Sequence, residues 1–441
     1  MNRLIFFPLL LALLTTPALA DDLLEIYRQA QTNDTSWLAA QASRQAGIEK
    51  APQGRAALLP TLGLSAATSE TDQHVKTTNV NDTYRYGTDS YSVQLTQPLY
   101  RKQNAAVYAQ GVSGANQAEI DLELARQDLI LRVTQAYFAV LAAQDVLDFA
   151  ITEKDAVNKQ LALAKRNFNV GTATLVDVHE AQARYDLVVA QQITAANDLA
   201  VRQEELRVLI SVTPETLARL TTRLDLQPPE PADMEQWVET AMNQSPRIKS
   251  QTEALNIVRQ EAEKSRGGHY PTLDLTAAHS YSDAGGSTQG FAIETKTNQV
   301  GLVFQLPLYQ GGGLSSKVRE ASARLEEANQ RLDQTRRQVA QQTRATYLAV
   351  INGMARVQAL EQARLSNERA LESTVIGYER GVRTGVDVLN AQSVLFRTRR
   401  DLSQARYDYL ISRLRLKAVA GTLQEQDLED INRLLARKSL G

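Results

Sequence analysis

Four segments of the chain alternate apolar and polar residues with a period of two. Leu62, Leu64 and Ala66 alternate with Thr61, Gly63 and Ser65, and Tyr91, Val93 and Leu95 alternate with Ser92, Gln94 and Thr96. Further on, Leu273, Leu275 and Ala277 alternate with Thr272, Asp274 and Thr276, and Val300, Leu302, Phe304 and Leu306 follow the same rule. This pattern predicts strands with one apolar face. Two readings fit: amphipathic hairpins packed on soluble protein, or strands of a transmembrane barrel that turn one face to lipid. Four strands cannot close a barrel, since the smallest have about eight. The barrel reading therefore requires an oligomer. Between the strands, "ETDQHVKTTNVNDTYRYGTD" and "DAGGSTQGFAIETKT" read as long polar loops.

Elsewhere the apolar positions recur at heptad spacing. One series runs Leu129, Val133, Ala136, Val140, Ala143, Leu147, Ala150, Lys154, Val157, Leu161, Ala164, Phe168, and only Lys154 breaks it. A second runs Val178, Ala181, Tyr185, Val188, Gln192, Ala195, Leu199, Arg202, Leu206, Leu209. A third, from Val388 to Val419, occupies the places 210 positions after the second. A period of 3.5 sustained this long predicts left-handed coiled coils. Two helices are expected to be very long, from about Lys102 to Asn167 and from about Leu314 to Tyr378. The first would extend roughly 100 Å at 1.5 Å per residue.

The same offset relates the two halves throughout. "FNVGTATLVDVHEAQ" (168–182) returns as "YERGVRTGVDVLNAQ" (378–392), with Gly171 matching Gly381 and Asp177 matching Asp387. "LLPTLGLSAATS" (58–69) returns as "HYPTLDLTAAHS" (269–280), and "TQAYFAV" (134–140) as "RATYLAV" (344–350). A repeat this long is no solenoid unit and suggests pseudo-symmetry in an assembly. The expected organisation is a first repeat over 21–223, a proline-rich linker over 224–235, a second repeat over 236–420 and a C-terminal segment over 421–441. Each repeat reads as two strands, a long helix, a tight turn and a helix returning antiparallel.

Composition narrows the picture further. Asn2-Arg3, the apolar run "LIFFPLLLALL" and the small-residue site Ala18-Leu19-Ala20 read as a secretory signal peptide over 1–20. No later apolar run approaches the roughly 18 residues of a spanning helix. The chain has no cysteine, which removes disulfides, thiolate metal sites and a lipidated cysteine. A formal net charge of −2 leaves no footprint for nucleic acid.

The stretches "NFNVGTATLVDVHEAQARYD" (167–186), "GVRTGVDVLNAQ" (381–392) and "ARYDYLISRLRLKAVAGTLQEQDLEDIN" (405–432), with the paired "PTL…PLY" hairpins, resemble the TolC family of outer-membrane channels. The resemblance covers essentially all of the chain after residue 20. It implies a mainly α fold with a β-barrel part: a trimer whose twelve strands form one outer-membrane barrel, continued by a periplasmic barrel of twelve helices with a mixed equatorial belt. The belt would be built from residues around 211–245 and the segment after Gly421. The function implied is that of an exit duct for a tripartite efflux pump or type I secretion system, without cofactor. Its partners would be outer-membrane lipid, a periplasmic adaptor and an inner-membrane pump or ABC transporter. In that family the periplasmic end is held shut by polar links near the coil tips. Tyr378, Arg383 and Asp177 fall on the latch positions, with Asp177 the acceptor. Asp387 falls on an acidic constriction ring, and Asn390 on a second ring that often carries aspartate. Val176 stands where the family pattern has threonine. The turns containing Val170, Gly171, Thr172, Gly381, Val382 and Thr384 would receive the adaptor.

Simpler roles stand beside these. Thr174-x-x-Asp177 and Thr384-x-x-Asp387 fit capping boxes at helix starts, and Gly171 and Gly381 fit sharp turns. An enzyme is not expected: His74, His179, His269 and His279 have no metal-ligand spacing, and "GGGLSSK" (311–317) lacks the spacing of a phosphate loop. "RTRR" (397–400) reads as a solvated helix face. A periplasmic coiled-coil scaffold or adaptor without a pore is the competing function, and it would need no strand face of exposed apolar residues.

Overall fold

The computed structural model describes residues 21–214, 216–221, 224–288 and 291–436, so the stretch read as a signal peptide lies outside the described residues. The first half holds α1 (Leu23–Asn33), α2 (Thr35–Ile48), α3 (Lys50–Ala56), β1 (Thr61–Lys76), β2 (Asn81–Arg101), α4 (Lys102–Asn169), α5 (Leu175–Ile210) and β3 (Arg219–Leu220). The second holds α6 (Met234–Gln244), α7 (Pro246–Gly267), β4 (Thr272–Ala284), β5 (Ile293–Gln305), α8 (Gly313–Glu379), α9 (Gly385–Ala420), α10 (Glu425–Asn432) and β6 (Leu435–Ala436). Two compact units emerge, and each draws on both halves of the chain.

The unit over 39–125 and 244–340 contains a four-stranded antiparallel sheet in the order β1-β2-β4-β5. Its register places Leu62 opposite Leu95, Leu95 opposite Ala277, Ala277 opposite Val300, and Leu275 opposite Leu302. Apart from Leu306, which lies past the end of β5, the alternating apolar residues thus share one face. Within a single chain Leu62, Leu64, Val300 and Leu302 remain 65–76% exposed, so none of the described segments covers that face. The other face carries Ser, Thr, Gln and Gly, with the Ser65 and Ser92 hydroxyls 2.8 Å apart. Near its base, Arg101 grips Asp274 through two bonds of 2.8 and 2.6 Å.

The hairpins reach further than alternation suggests. Most of the stretch expected to be a long polar loop between β1 and β2 is paired strand, and only residues 77–80 remain as the turn. Likewise β5 begins at Ile293, inside the second expected loop. Backbone pairing needs no apolar side chain, so it continues where both faces have become polar and the sequence signal has ended.

The unit over 21–38, 126–243 and 341–436 is helical. Of the first heptad series, Leu129, Val133, Val140, Ala143, Ala150, Val157, Leu161 and Ala164 are buried. Phe168 is 41% exposed, because its helix ends one residue later and nothing packs over it. Cross-links stitch α8 to α9: Asn367 donates to Thr398 at 2.9 Å, and Arg399 to Glu368 at 2.9 Å. Away from the turns, Phe138 stacks on Tyr407 with ring centroids 5.2 Å apart. The buried Tyr137 and Tyr409 donate to the carbonyls of Ala218 and Gln227, both at 2.7 Å, anchoring the irregular segment that follows α5. Arg132 makes paired bonds of 2.8 and 3.0 Å to Asp34, which also accepts the Trp37 N–H at 2.7 Å. Asp34 therefore caps α2 and ties it to α4.

Candidate functional site: the paired helical tips

Both long helices end in the same way. After α4, the Gly171 N–H donates to the Phe168 carbonyl at 3.0 Å and the Thr172 N–H to that of Asn167 at 2.8 Å. After α8, Gly381 and Val382 donate to Tyr378 and Gly377 at the same two distances. These are Schellman closures, which require a left-handed residue. Gly171 at φ +77° and Gly381 at φ +72° supply it without a Cβ penalty.

Each return helix starts with a reciprocal cap. Thr174 accepts from the Asp177 N–H at 3.2 Å, while the Thr174 N–H and hydroxyl both donate to Asp177 Oδ2 at 2.8 Å. Thr384 and Asp387 repeat this with bonds of 3.3, 2.9 and 3.0 Å. The Thr384 N–H, then its hydroxyl, hold the Asp387 carboxyl below its ordinary value, and the Arg383 cation adds to the effect. Asp387 is therefore a persistent anion at a helix N-terminus, where the dipole also favours it.

The remaining sequence-derived residues fall as follows. Tyr378 is half-buried, and its hydroxyl accepts the Asn167 side-chain amide at 3.1 Å. No hydrogen bond joins Tyr378 or Arg383 to Asp177 among the described residues of one chain. Arg383 and Asn390 are exposed. Val170 and Val382 stand 68% and 77% exposed at the turns, with Leu175 and Val176 also open, so the tips present apolar side chains to their surroundings.

Three contributors escaped the sequence reading. Asn167 is the partner of Tyr378. Leu389, 5% exposed, sits in a core cluster with Val157, Leu161, Ala164, Ala181 and Val188 of α4 and α5. Gly385 abuts Gln160: a Cβ there would stand 3.0 Å from Gln160 Nε2. The signal was available in the repeat, because the matching positions hold Gly377, His179 and Leu175. Divergence at those places marks residues that one hairpin uses and the other does not.

The sequence profile of the outer membrane efflux protein family matches residues 26–211 and 237–422. This chain belongs to that family. As an outer membrane efflux protein it is an exit duct of the efflux and secretion class, located in the outer membrane with a large periplasmic part. It is 33% identical over 434 residues to the outer membrane protein TolC of Vibrio cholerae, covering 97% of each chain. It is also 33% identical over 437 residues to the alkaline protease secretion protein AprF of Pseudomonas aeruginosa, covering 97% of this chain and 91% of that one. The fold matches the Campylobacter jejuni outer membrane channel CmeC with a TM-score of 0.81 at 17% identity, over 95% and 90% of the two chains. The mainly α fold with a β-barrel part is the one this family uses. None of the described helices is long and apolar enough to cross a membrane.

Proposed function

We propose that three copies of this chain form a channel-tunnel, with a twelve-stranded barrel in the outer membrane and a twelve-helix barrel in the periplasm. One observation carries the reading. Each chain offers four long strands with two open edges and an apolar face left uncovered. Unpaired edges and bare apolar surface are costly in water, and closing three sheets edge to edge inside lipid removes both. The described residues around 211–245, which include β3 and α6, and those of 421–436 form the equatorial belt in this reading. The repeats 21–223 and 236–420, joined by 224–235, give the trimer its pseudo-sixfold helical barrel.

The tips gate the duct. Tyr378 and Arg383, with Asp177 of an adjacent coil, hold α8 and α9 inward, while Asp387 and Asn390 ring the constriction. A periplasmic adaptor docks on Val170, Gly171, Thr172, Gly381, Val382 and Thr384, and the exposed valines suit an apolar contact. An inner-membrane pump or ABC transporter supplies cargo, and α8 and α9 swing outward when it engages. The relative named for alkaline protease secretion favours protein cargo, and the family description favours efflux. One conduit can serve both, because the lumen face is polar and unspecific.

Reconstitution in planar bilayers tests this. A heat-resistant trimer extracted from outer membranes and conducting in single steps is the expected result. A protein released by salt alone and silent in bilayers would instead support a periplasmic scaffold.

A further inference from the structure

Leu389 lies on α9 next to Val388, and both are buried, but only Leu389 belongs to the α4/α5 cluster. There it packs with Val157, Leu161 and Ala164 of α4 and Ala181 and Val188 of α5, flanked by Val178 and Tyr185. A residue of the second hairpin has thus entered the seam of the first. Its burial is complete within one chain and needs no neighbouring subunit.

Two further contacts accompany it. Gly385, one turn earlier on α9, approaches Gln160 so closely that a Cβ would sit 3.0 Å from its amide nitrogen and 3.8 Å from the Tyr378 ring. Tyr378 in turn accepts from Asn167 at 3.1 Å. Apolar knob, glycine notch and tyrosine hydroxyl all join α8 and α9 to α4. The repeat shows that this side is specialised. At the matching places of the first hairpin stand His179, Leu175 and Phe168, and all three are exposed.

We infer that Leu389 is an apolar clasp, a positioning residue that keeps the α8/α9 tip seated on the α4/α5 coiled coil, so that opening the duct requires drawing Leu389 out of that seam. This rests on the reading that the tips gate the channel. The clasp differs in kind from the polar links, because ionic screening weakens charged contacts and does not weaken apolar burial. Gln160 opposes it: its Nε2 is buried without a hydrogen-bond partner among the described residues, and withdrawal of Gly385 would expose it to water. The joint is therefore poised to be released by a docking partner.

Single-channel conductance of Leu389→Ala, set beside Val388→Ala and Tyr378→Phe/Arg383→Ser, provides the test. Truncating a buried leucine should shift the closed-to-open balance by about tenfold or more, giving longer or larger openings at high salt as well as low. Val388→Ala should leave conductance near the parent value. If Tyr378→Phe/Arg383→Ser opens the channel and Leu389→Ala does not, the clasp is refuted while tip gating stands. If neither opens it, the gating reading itself fails.

A second readout holds even if Leu389→Ala assembles poorly. The chain contains no cysteine, so Leu389→Cys reports on its own position. Its thiol should be protected from a polar maleimide in the parent background and react about tenfold faster or more when Tyr378→Phe/Arg383→Ser is added. Equal labelling rates in both backgrounds would overturn the proposal.

Discussion

The side-chain amide of Asn167 donates to the hydroxyl of Tyr378 at 3.1 Å, joining the last turn of α4 to the last turn of α8. The carbonyl of each residue also accepts one of the closing bonds of its Schellman turn, so one side-chain bond links the two tips where each helix ends. Asp177, which the family resemblance assigns as acceptor, has Oδ2 occupied by its own N-cap threonine.

Replacing Tyr378 by Phe and Arg383 by Ser together should raise single-channel conductance without lowering trimer yield. Asn167→Ala should reproduce part of the effect of Tyr378→Phe, since both remove the bond between these two side chains. Bilayer recordings of the three proteins check this. Unchanged conductance in the double variant would show that these side chains do not hold the channel shut.

Three Asp387 carboxylates on a threefold axis would attract cations, while Asn390 offers amide oxygens without charge. Block by a multivalent cation added from the periplasmic side should be modest, lost in Asp387→Ala and strengthened in Asn390→Asp. Within one chain the capping bonds lower the Asp387 pKa, so there the group stays charged at pH values where an ordinary aspartate has begun to protonate. On the threefold axis the three carboxylates repel one another, which works against that shift, so block should fade as the solution is acidified through the carboxylate range. Titrating the cation against current at several pH values tests both statements. Equal block in Asp387→Ala would leave Asp387 as a helix cap alone.

Leu275 and Leu302 face each other on the apolar side of the sheet. An arginine at either position should impair membrane insertion, at a cost of about 2–4 kcal/mol near mid-membrane. The yield of folded trimer in outer-membrane fractions measures this. Normal assembly of both variants would argue that the face does not meet lipid.

Asp34 is nearly buried, and its hydrogen bonds from Arg132 are the main reason its pKa is lowered below the usual 3.8. A depressed carboxylate pKa stabilises the fold above the unfolded value, and the contribution disappears as pH falls through the folded one. Asp34→Asn should thus destabilise the parent by about 2–3 kcal/mol near neutrality, less than for a fully dry pair because Arg132 keeps some solvent access. The difference should shrink below about pH 4. Denaturant unfolding of the two proteins between pH 7 and pH 3 supplies the comparison.

How much of this was legible in the chain follows from the range over which each feature is encoded. The strands announce themselves through a period of two at Leu62, Leu64 and Ala66, and the coils through a period of 3.5 from Leu129 to Ala164. Both signals depend only on neighbours along the backbone. The glycines and Thr-x-x-Asp boxes at 171–177 and 381–387 are equally local, because a helix end is satisfied by residues within one turn of it. The 210-residue offset then exposed the duplication.

What waited for the tertiary structure was the relation between the two copies. Leu389 and Val388 are neighbouring apolar residues of one helix, and no period says which enters its own seam and which enters another coil. That choice is set by how two hairpins from distant parts of the chain pack. Tyr378 meets Asn167 for the same reason, since the bond spans 211 positions and leaves no trace in either local pattern. The polar ends of β1, β2 and β5 were hidden differently: their order comes from backbone pairing with another strand, which side-chain periodicity does not record.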